Sequence, residues 1–109
     1  GKVIGSFQAL GHRAAELYSA QEMARSCAEA GVMAIDQGAD DEAAMSAVSK
    51  AKTGEFLFDM SNQLIQIHGG IGMTDEFDAG LYLKRARVLE TTFGNQAHHR
   101  DRYATLLGF

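Results

Sequence analysis

Gln66-Ile67-His68-Gly69-Gly70-Ile71-Gly72-Met73-Thr74 decides how this chain reads, because a long helical pattern stops here in three glycines spread over four positions. Long helix precedes the stretch, and only short elements follow it. Glycine has no Cβ, so Gly69, Gly70 and Gly72 can take left-handed or extended backbone and let a ligand lie directly against the main chain. A helix end needs at most one such residue. On glycines alone the stretch is a C-cap with a tight turn, since a Gly-rich turn by itself is a weak sign of phosphate binding. The residues around it carry more.

Upstream, Phe7, Leu10, Ala14, Leu17, Gln21, Ala24, Ala28, Gly31 and Ile35 recur at alternating steps of three and four, the spacing of a bundle seam. Ser6 is the expected N-cap of this helix and Gly38 its C-cap. Alanine and glycine dominate the second half of the seam, so a neighbouring helix can come close there. Gln21, the one polar residue on it, reads as a buried amide bonded across the seam. His12 and Arg13 flank the seam with no assigned task. Asp40 or Asp41 should cap the second helix, where the positive end of the macrodipole favours carboxylates. That helix runs to His68 with one seam through Ala44, Ala47, Ala51, Gly54, Phe58, Ser61, Ile65 and His68. A second stripe follows Val48, Leu57, Met60, Leu64 and Ile67. Two apolar faces imply two packing neighbours, one of which could belong to another subunit.

Beyond the glycines, Asp75-Glu76-Phe77-Asp78 can cap a short helix bearing Leu81, Tyr82, Ala86, Val88 and Leu89, with Lys84, Arg85 and Arg87 outward. Thr91-Thr92-Phe93-Gly94-Asn95 breaks the pattern with two β-branched residues and a glycine. Asn95 should then N-cap a last helix through Ala97, Tyr103 and Leu106, closed by Gly108. The expected fold is all-α, an antiparallel helical bundle of two long helices followed by two short ones, with residues 1–109 forming one domain.

Composition agrees and sets limits. The 109 residues contain no proline and little alternating β-branched pattern, which argues against strands. Fourteen acidic against ten basic side chains leave a formal charge of −4, so there is no basic field for nucleic acid or an anionic membrane. No apolar run approaches the roughly 20 residues of a membrane span, and no signal-peptide pattern opens the chain. Cys27, the only cysteine, sits among Ala24, Ala28 and Gly31 and reads as a packing residue compatible with a reducing cytoplasm. His68 reads as packed with one ring nitrogen satisfied. The adjacent His98 and His99 point to different helix faces and do not suggest a metal.

The run from Gln66 to Thr74, with Glu76-Phe77, Tyr82 and Lys84-Arg85-Ala86-Arg87, resembles the C-terminal helical domain of the acyl-CoA dehydrogenases, where a QIxGGxGxxxE(Y/F) run precedes a short helix. Gly1-Lys2-Val3-Ile4-Gly5-Ser6-Phe7-Gln8-Ala9-Leu10 is similar to the family's stretch after its Arg-x-x-Phe motif, and the spacing between the two motifs needs no gap. The resemblance covers essentially the whole chain. It implies a flavoenzyme that desaturates an acyl-CoA thioester, with electron-transfer flavoprotein as acceptor, in a cytoplasmic homo- or hetero-oligomer. Because the chain opens at Gly1-Lys2 without methionine, it is expected to be a fragment of that enzyme, inactive alone.

By the same resemblance, Gln66, Gly69 and Gly70 are assigned to FAD with Gly72 shaping the turn, and Gln8 matches a glutamine that also reaches the cofactor. A bare-backbone turn beside an amide does suit a dinucleotide phosphate, which needs close donors. Many family members carry Tyr-Glu-Gly-Thr further on, with the glutamate as catalytic base; here the ungapped match is Thr92-Phe93-Gly94-Asn95. Phenylalanine cannot accept a proton. Gly94 keeps the family glycine, Asn95 can stand for the threonine toward FAD, and Thr92, Phe93 and Gly94 would face substrate. Three explanations remain open: a base upstream of the Arg-x-x-Phe motif, a heteromer whose partner subunit carries the working site, or rescue by Glu90.

Overall fold

Gln8–Gln37 winds into a first helix, α1, because thirty residues pass without proline and eight of them are alanine, the strongest helix former. It ends where Gly38 takes left-handed backbone, φ 59°. There the Gly38 amide bonds to the Ile35 carbonyl and the Ala39 amide to the Ala34 carbonyl, the paired bonds of a Schellman stop. The computed structural model describes residues 1–109 and is all-α, without strands. After α1 come α2 (Glu42–His68), α3 (Ala79–Thr91) and α4 (Gln96–Leu106), with short 3-10 turns at Ile4–Ser6 and Gly69–Met73. Two long helices followed by two short ones match the expectation from sequence.

Close approach of α1 and α2 depends on missing side chains. A Cβ on the buried Gly31 would lie 2.9 Å from Ser49 Cβ, so the two backbones meet there as only glycine permits. At the other end of the pair, Arg13 Nη1 donates to Gln63 Oε1 at 2.7 Å. A late residue of α1 thus faces an early one of α2, and the reverse, so the two helices run in opposite directions. Their buried side chains are alanines: Ala24 and Ala34 on α1, Ala47 and Ala51 on α2, joined by Ala79 and Ala86 from α3. Ser61 is also buried and hands its hydroxyl proton to the Phe58 carbonyl at 3.0 Å. No large side chain is fully buried.

Helix α2 is the hub, packing against α1, α3 and α4. Arg87 of α3 reaches Asn62 on α2, and Lys50 of α2 reaches the last carbonyls of α3. Arg100 of α4 pairs with Glu55 at 2.9 Å. The second apolar stripe of α2 is therefore partly covered from within the chain, its residues staying half-buried. Leu57, Met60 and Leu64 lie beside Tyr82 of α3, and Val48 beside His99 and Tyr103 of α4. The second neighbour, which the sequence allowed to belong to another subunit, is supplied here by α3 and α4 of the same chain.

Other details also differ from the sequence expectation. Ser6 does not cap α1; it ends a 3-10 turn and donates to the Val3 carbonyl, leaving Phe7 at the cap position without a side-chain bond. Asp41 stands at the α2 cap position, yet makes no side-chain cap bond. The α1 seam drifts, because a straight helix does not keep a strict seven-residue repeat facing one neighbour. Gln21 and Ala14 are consequently exposed and Ile35 is 56% exposed, while Ala34 is buried. Arg13 has the Gln63 bond rather than no task. Arg87 turns inward instead of outward, its guanidinium 4.1 Å from the centre of the Phe58 ring.

Candidate functional site

The last turn of α2 closes on Gly69, whose φ of 66° and ψ of −148° are open to glycine and strained for other residues. Gly72 is buried under the same turn, and a Cβ there would sit 2.8 Å from His68 Cβ and 3.0 Å from the Ile65 carbonyl. The turn is pinned by Thr74, which donates to the Ile71 carbonyl at 2.7 Å. It is pinned also by His68, whose Nδ1–H donates to the Leu64 carbonyl at 2.7 Å while its ring packs on Phe77 at 5.6 Å. His68 therefore packs, as its sequence context implied, although its surface stays exposed.

Gly70 is different from its neighbours. It lacks positive φ, and a Cβ built on it would meet nothing within 4 Å. Two of the three glycines are demanded by the fold; the third leaves open space over exposed backbone. Gln66 is exposed one turn before it. The register that sets Arg13 against Gln63 brings the exposed Gln8, first residue of α1, to this same end of the molecule. Gln8, Gln66, Gly69 and Gly70 thus gather at one pole, where the backbone of Gly70 lies open to approach.

A second cluster lies further back along α2. Lys50, Thr53, Gly54, Phe56 and Leu57 of α2, with Leu89, Glu90, Thr92 and Phe93, line a largely apolar groove of about 430 Å³. Lys50 Nζ donates to the carbonyls of Leu89 and Glu90 at 2.7 and 3.2 Å, setting a cation against the negative end of α3. The Glu90 side chain is 15% exposed and lies 3.3 Å from Arg87 Nη1. Sequence placed Glu90 on a different helical face from Phe93; the end of α3 brings both to one groove.

Thr92-Phe93-Gly94-Asn95 forms the turn from α3 into α4. Phe93 holds φ 60°, the only non-glycine residue with positive φ, and its side chain is 91% exposed. Gly94 follows at φ 98°, and a Cβ there would lie 2.5 Å from His98 Cδ2. Asn95 caps α4 as expected, its Oδ1 accepting from the His98 amide at 3.0 Å. That bond occupies the oxygen and leaves the amide Nδ2 as the group able to face a ligand. The Phe93 carbonyl accepts from His99 Nε2 at 2.9 Å. No three His, Cys, Asp or Glu side chains cluster as metal ligands, and His98 and His99 contact each other edge to face at 5.1 Å.

The two clusters are distinct places on one helix. Gly54, at the groove, and Gly69, at the glycine turn, lie about 22 Å apart along α2 at 1.5 Å per residue. Lys50, the inward Arg87 and the His99 bond to Phe93 escaped sequence reading. Long cations on a helix read as solvated until a partner is known, and a left-handed phenylalanine leaves no mark in composition.

Residues 1–107 match the sequence family described as acyl-CoA dehydrogenase, C-terminal domain. Among curated proteins the chain is 40% identical over 86 residues to acyl-CoA dehydrogenase IpdE2 of Mycolicibacterium smegmatis, covering 79% of this chain and 26% of that protein. It is 34% identical over 107 residues to acyl-CoA dehydrogenase FadE34 of Mycobacterium tuberculosis, covering 97% of this chain and 15% of that protein. The chain thus spans about a quarter or less of the length of these relatives. No solved structure matches it.

Proposed function

The chain belongs to the acyl-CoA dehydrogenase family as its C-terminal domain, and on that premise we propose that it contributes FAD contacts and subunit contacts to an α,β-desaturase of acyl-CoA thioesters. The single observation that carries the proposal is Gly70: a glycine the fold does not need, open on its Cβ side, beside the exposed Gln66 and at the pole that Gln8 shares. Bound FAD supplies the hydride acceptor for the desaturation. The backbone amides of Gly69 and Gly70 and the side chains of Gln66 and Gln8 would hold its dinucleotide part, and Asn95 Nδ2, at the separate second cluster, would face a different part of the flavin or a second copy of it. Thr92, Phe93 and Gly94, with the apolar wall of Phe56, Leu57 and Leu89, would exclude water from the reacting part of the acyl chain.

No proton acceptor stands at position 93. Glu90 is the one carboxylate lining the groove, but it is already engaged by Arg87 at 3.3 Å. Catalysis in the intact protein would therefore draw its base from elsewhere, and this domain alone is expected to be inactive. Electron-transfer flavoprotein is the proposed acceptor and the cytoplasm the proposed compartment.

Phe93 favours a second reading, in which this is the non-catalytic subunit or assembly module of a heteromeric dehydrogenase. The two readings part on flavin and turnover. The intact protein should be yellow and reduce an electron acceptor when given acyl-CoA, and Gly70→Leu should lower its flavin content without lowering its melting temperature. A colourless protein that still oligomerises would support the assembly reading; unchanged flavin retention in Gly70→Leu would remove the glycine turn from the cofactor site.

A further inference from the structure

We propose that His99 is the positioning residue of the Phe93 turn, clamping residue 93 in left-handed backbone and so holding its ring as the outer wall of the apolar groove. Left-handed φ is disfavoured for a phenylalanine, so something must hold it. The flanks are held by other groups. Thr92 Oγ1 donates to the Val88 carbonyl at 2.7 Å, the Gly94 amide bonds to the Thr91 carbonyl at 3.2 Å, and Asn95 caps α4. At Phe93 itself the only hydrogen bond is the one its carbonyl accepts from His99 at 2.9 Å.

The chemistry of that bond fixes the state of the ring. A carbonyl only accepts, so His99 Nε2 must carry the proton, and in the neutral imidazole Nδ1 is then a bare acceptor. Nδ1 is buried without a partner. An unpartnered buried acceptor is a cost, tolerated here because the orientation that leaves it unpaired is the one that serves Phe93. His98 lies edge to face against His99, and together the two rings fill the space where Gly94 would carry a Cβ, 2.5 Å from His98 Cδ2 and 3.2 Å from His99 Nε2. Histidine pair, glycine and left-handed phenylalanine form one interlocked unit. Residue 93 could relax to negative φ without the clamp, and the groove would lose the wall that Phe93 and Thr92 form.

Two measurements on the intact protein test this. Imidazole nitrogen NMR of the wild-type protein should show His99 with Nε2 protonated and Nδ1 bare; the opposite tautomer would overturn the proposal without any variant being made. Hydrogen exchange over residues 92–99 should then separate three substitutions. Glutamine places an N–H where Nε2 stands, whereas asparagine is too short and leucine has no donor. His99→Asn and His99→Leu should exchange about tenfold faster, and His99→Gln should stay near wild type. Equal protection in all three, or failure of the glutamine variant with the others, would reduce His99 to a packing residue. The role in substrate recognition rests on the acyl-CoA reading above: the KM for acyl-CoA should rise in His99→Asn and be restored in His99→Gln, and an unchanged KM beside faster exchange would refute the groove-wall part. A wild-type protein indifferent to acyl-CoA would sink the dehydrogenase reading instead, leaving tautomer and exchange to decide the clamp.

Discussion

Phe93 concentrates the tension between local preference and tertiary demand in this chain. A bulky residue with left-handed backbone costs about 1–2 kcal/mol, and here the ring recovers little by burial because it is 91% exposed. Phe93→Gly should therefore stabilise the protein toward urea by about 1 kcal/mol, with loss of the groove wall as its functional cost. Gly94→Ala should do the opposite, destabilising by about 1–3 kcal/mol, since a positive φ and a ring carbon at 2.5 Å both exclude a methyl group. Gly72→Ala belongs with Gly94→Ala, and Gly70→Ala should be nearly silent in the same urea experiment. At this scale the sequence located the special residues, Gly69, Gly72, Gly94 and Asn95, because glycine clusters and cap residues announce backbone needs. It could not separate the glycine required by packing from the one left free, because that depends on which atoms stand nearby.

Between helices, small side chains and a few long polar ones do the joining. Gly31 meets Ser49 so closely that Gly31→Ala should cost about 1–3 kcal/mol, and Ser49→Gly in the same chain should recover most of the loss; thermal unfolding of the single and double variants checks this. Helix α4 is tied to α2 by Glu55. Its hydrogen bond to Lys52 is the largest influence holding the carboxyl below its ordinary pKa; partial burial opposes this, and Arg100 adds a second lowering bond. A depressed carboxylate pKa contributes stability above the unfolded value of about 4.3, and that contribution fades as pH falls through the folded value. Solvent screens the pair, so the effect should be a few tenths of a kcal/mol. Glu55→Gln should accordingly be slightly less stable than wild type at neutral pH and indistinguishable from it well below pH 4, as read by urea midpoints across pH. Helix lengths and stops were legible in periodicity and in Gly38. The rotation of α1 that exposes Ile35 and buries Ala34 was not, since it depends on where α2 lies.

For the whole molecule, the surface is the informative quantity. A folded monomer of 11.8 kDa exposes about 5,900 Å² by the mass scaling, whereas this chain exposes 7682 Å². Its radius of gyration is 16.6 Å against about 13 Å for a compact domain of this length. The excess is apolar in part: Tyr18, Met23 and Val32 on α1, and Leu81, Tyr82 and Val88 on α3, are all more than half exposed. The warrant for association therefore rests less on the faces of α2, which α3 and α4 partly cover, than on the outer faces of α1 and α3. The intact protein should scatter light as a dimer or larger, and Val32→Asp or Leu81→Asp should lower its mass if the corresponding face is an interface. A monomer with both faces intact would refute association. No helix is long and apolar enough to cross a membrane.

Periodicity, glycine placement and the motif around Gly69-Gly70 determined by themselves that this chain is all-α, where its helices stop, and which family it belongs to. These are properties of local sequence: helical spacing repeats within a few residues, and a backbone turn needs its glycine at one position. Tertiary structure alone decided that α2 is the hub, that Arg87 and Lys50 face inward, that Glu90 shares a groove with Phe93, and that His99 holds the Phe93 carbonyl. Each of those depends on two segments distant in the chain arriving at the same place, and a side chain's role there is set by its neighbour rather than by its own identity.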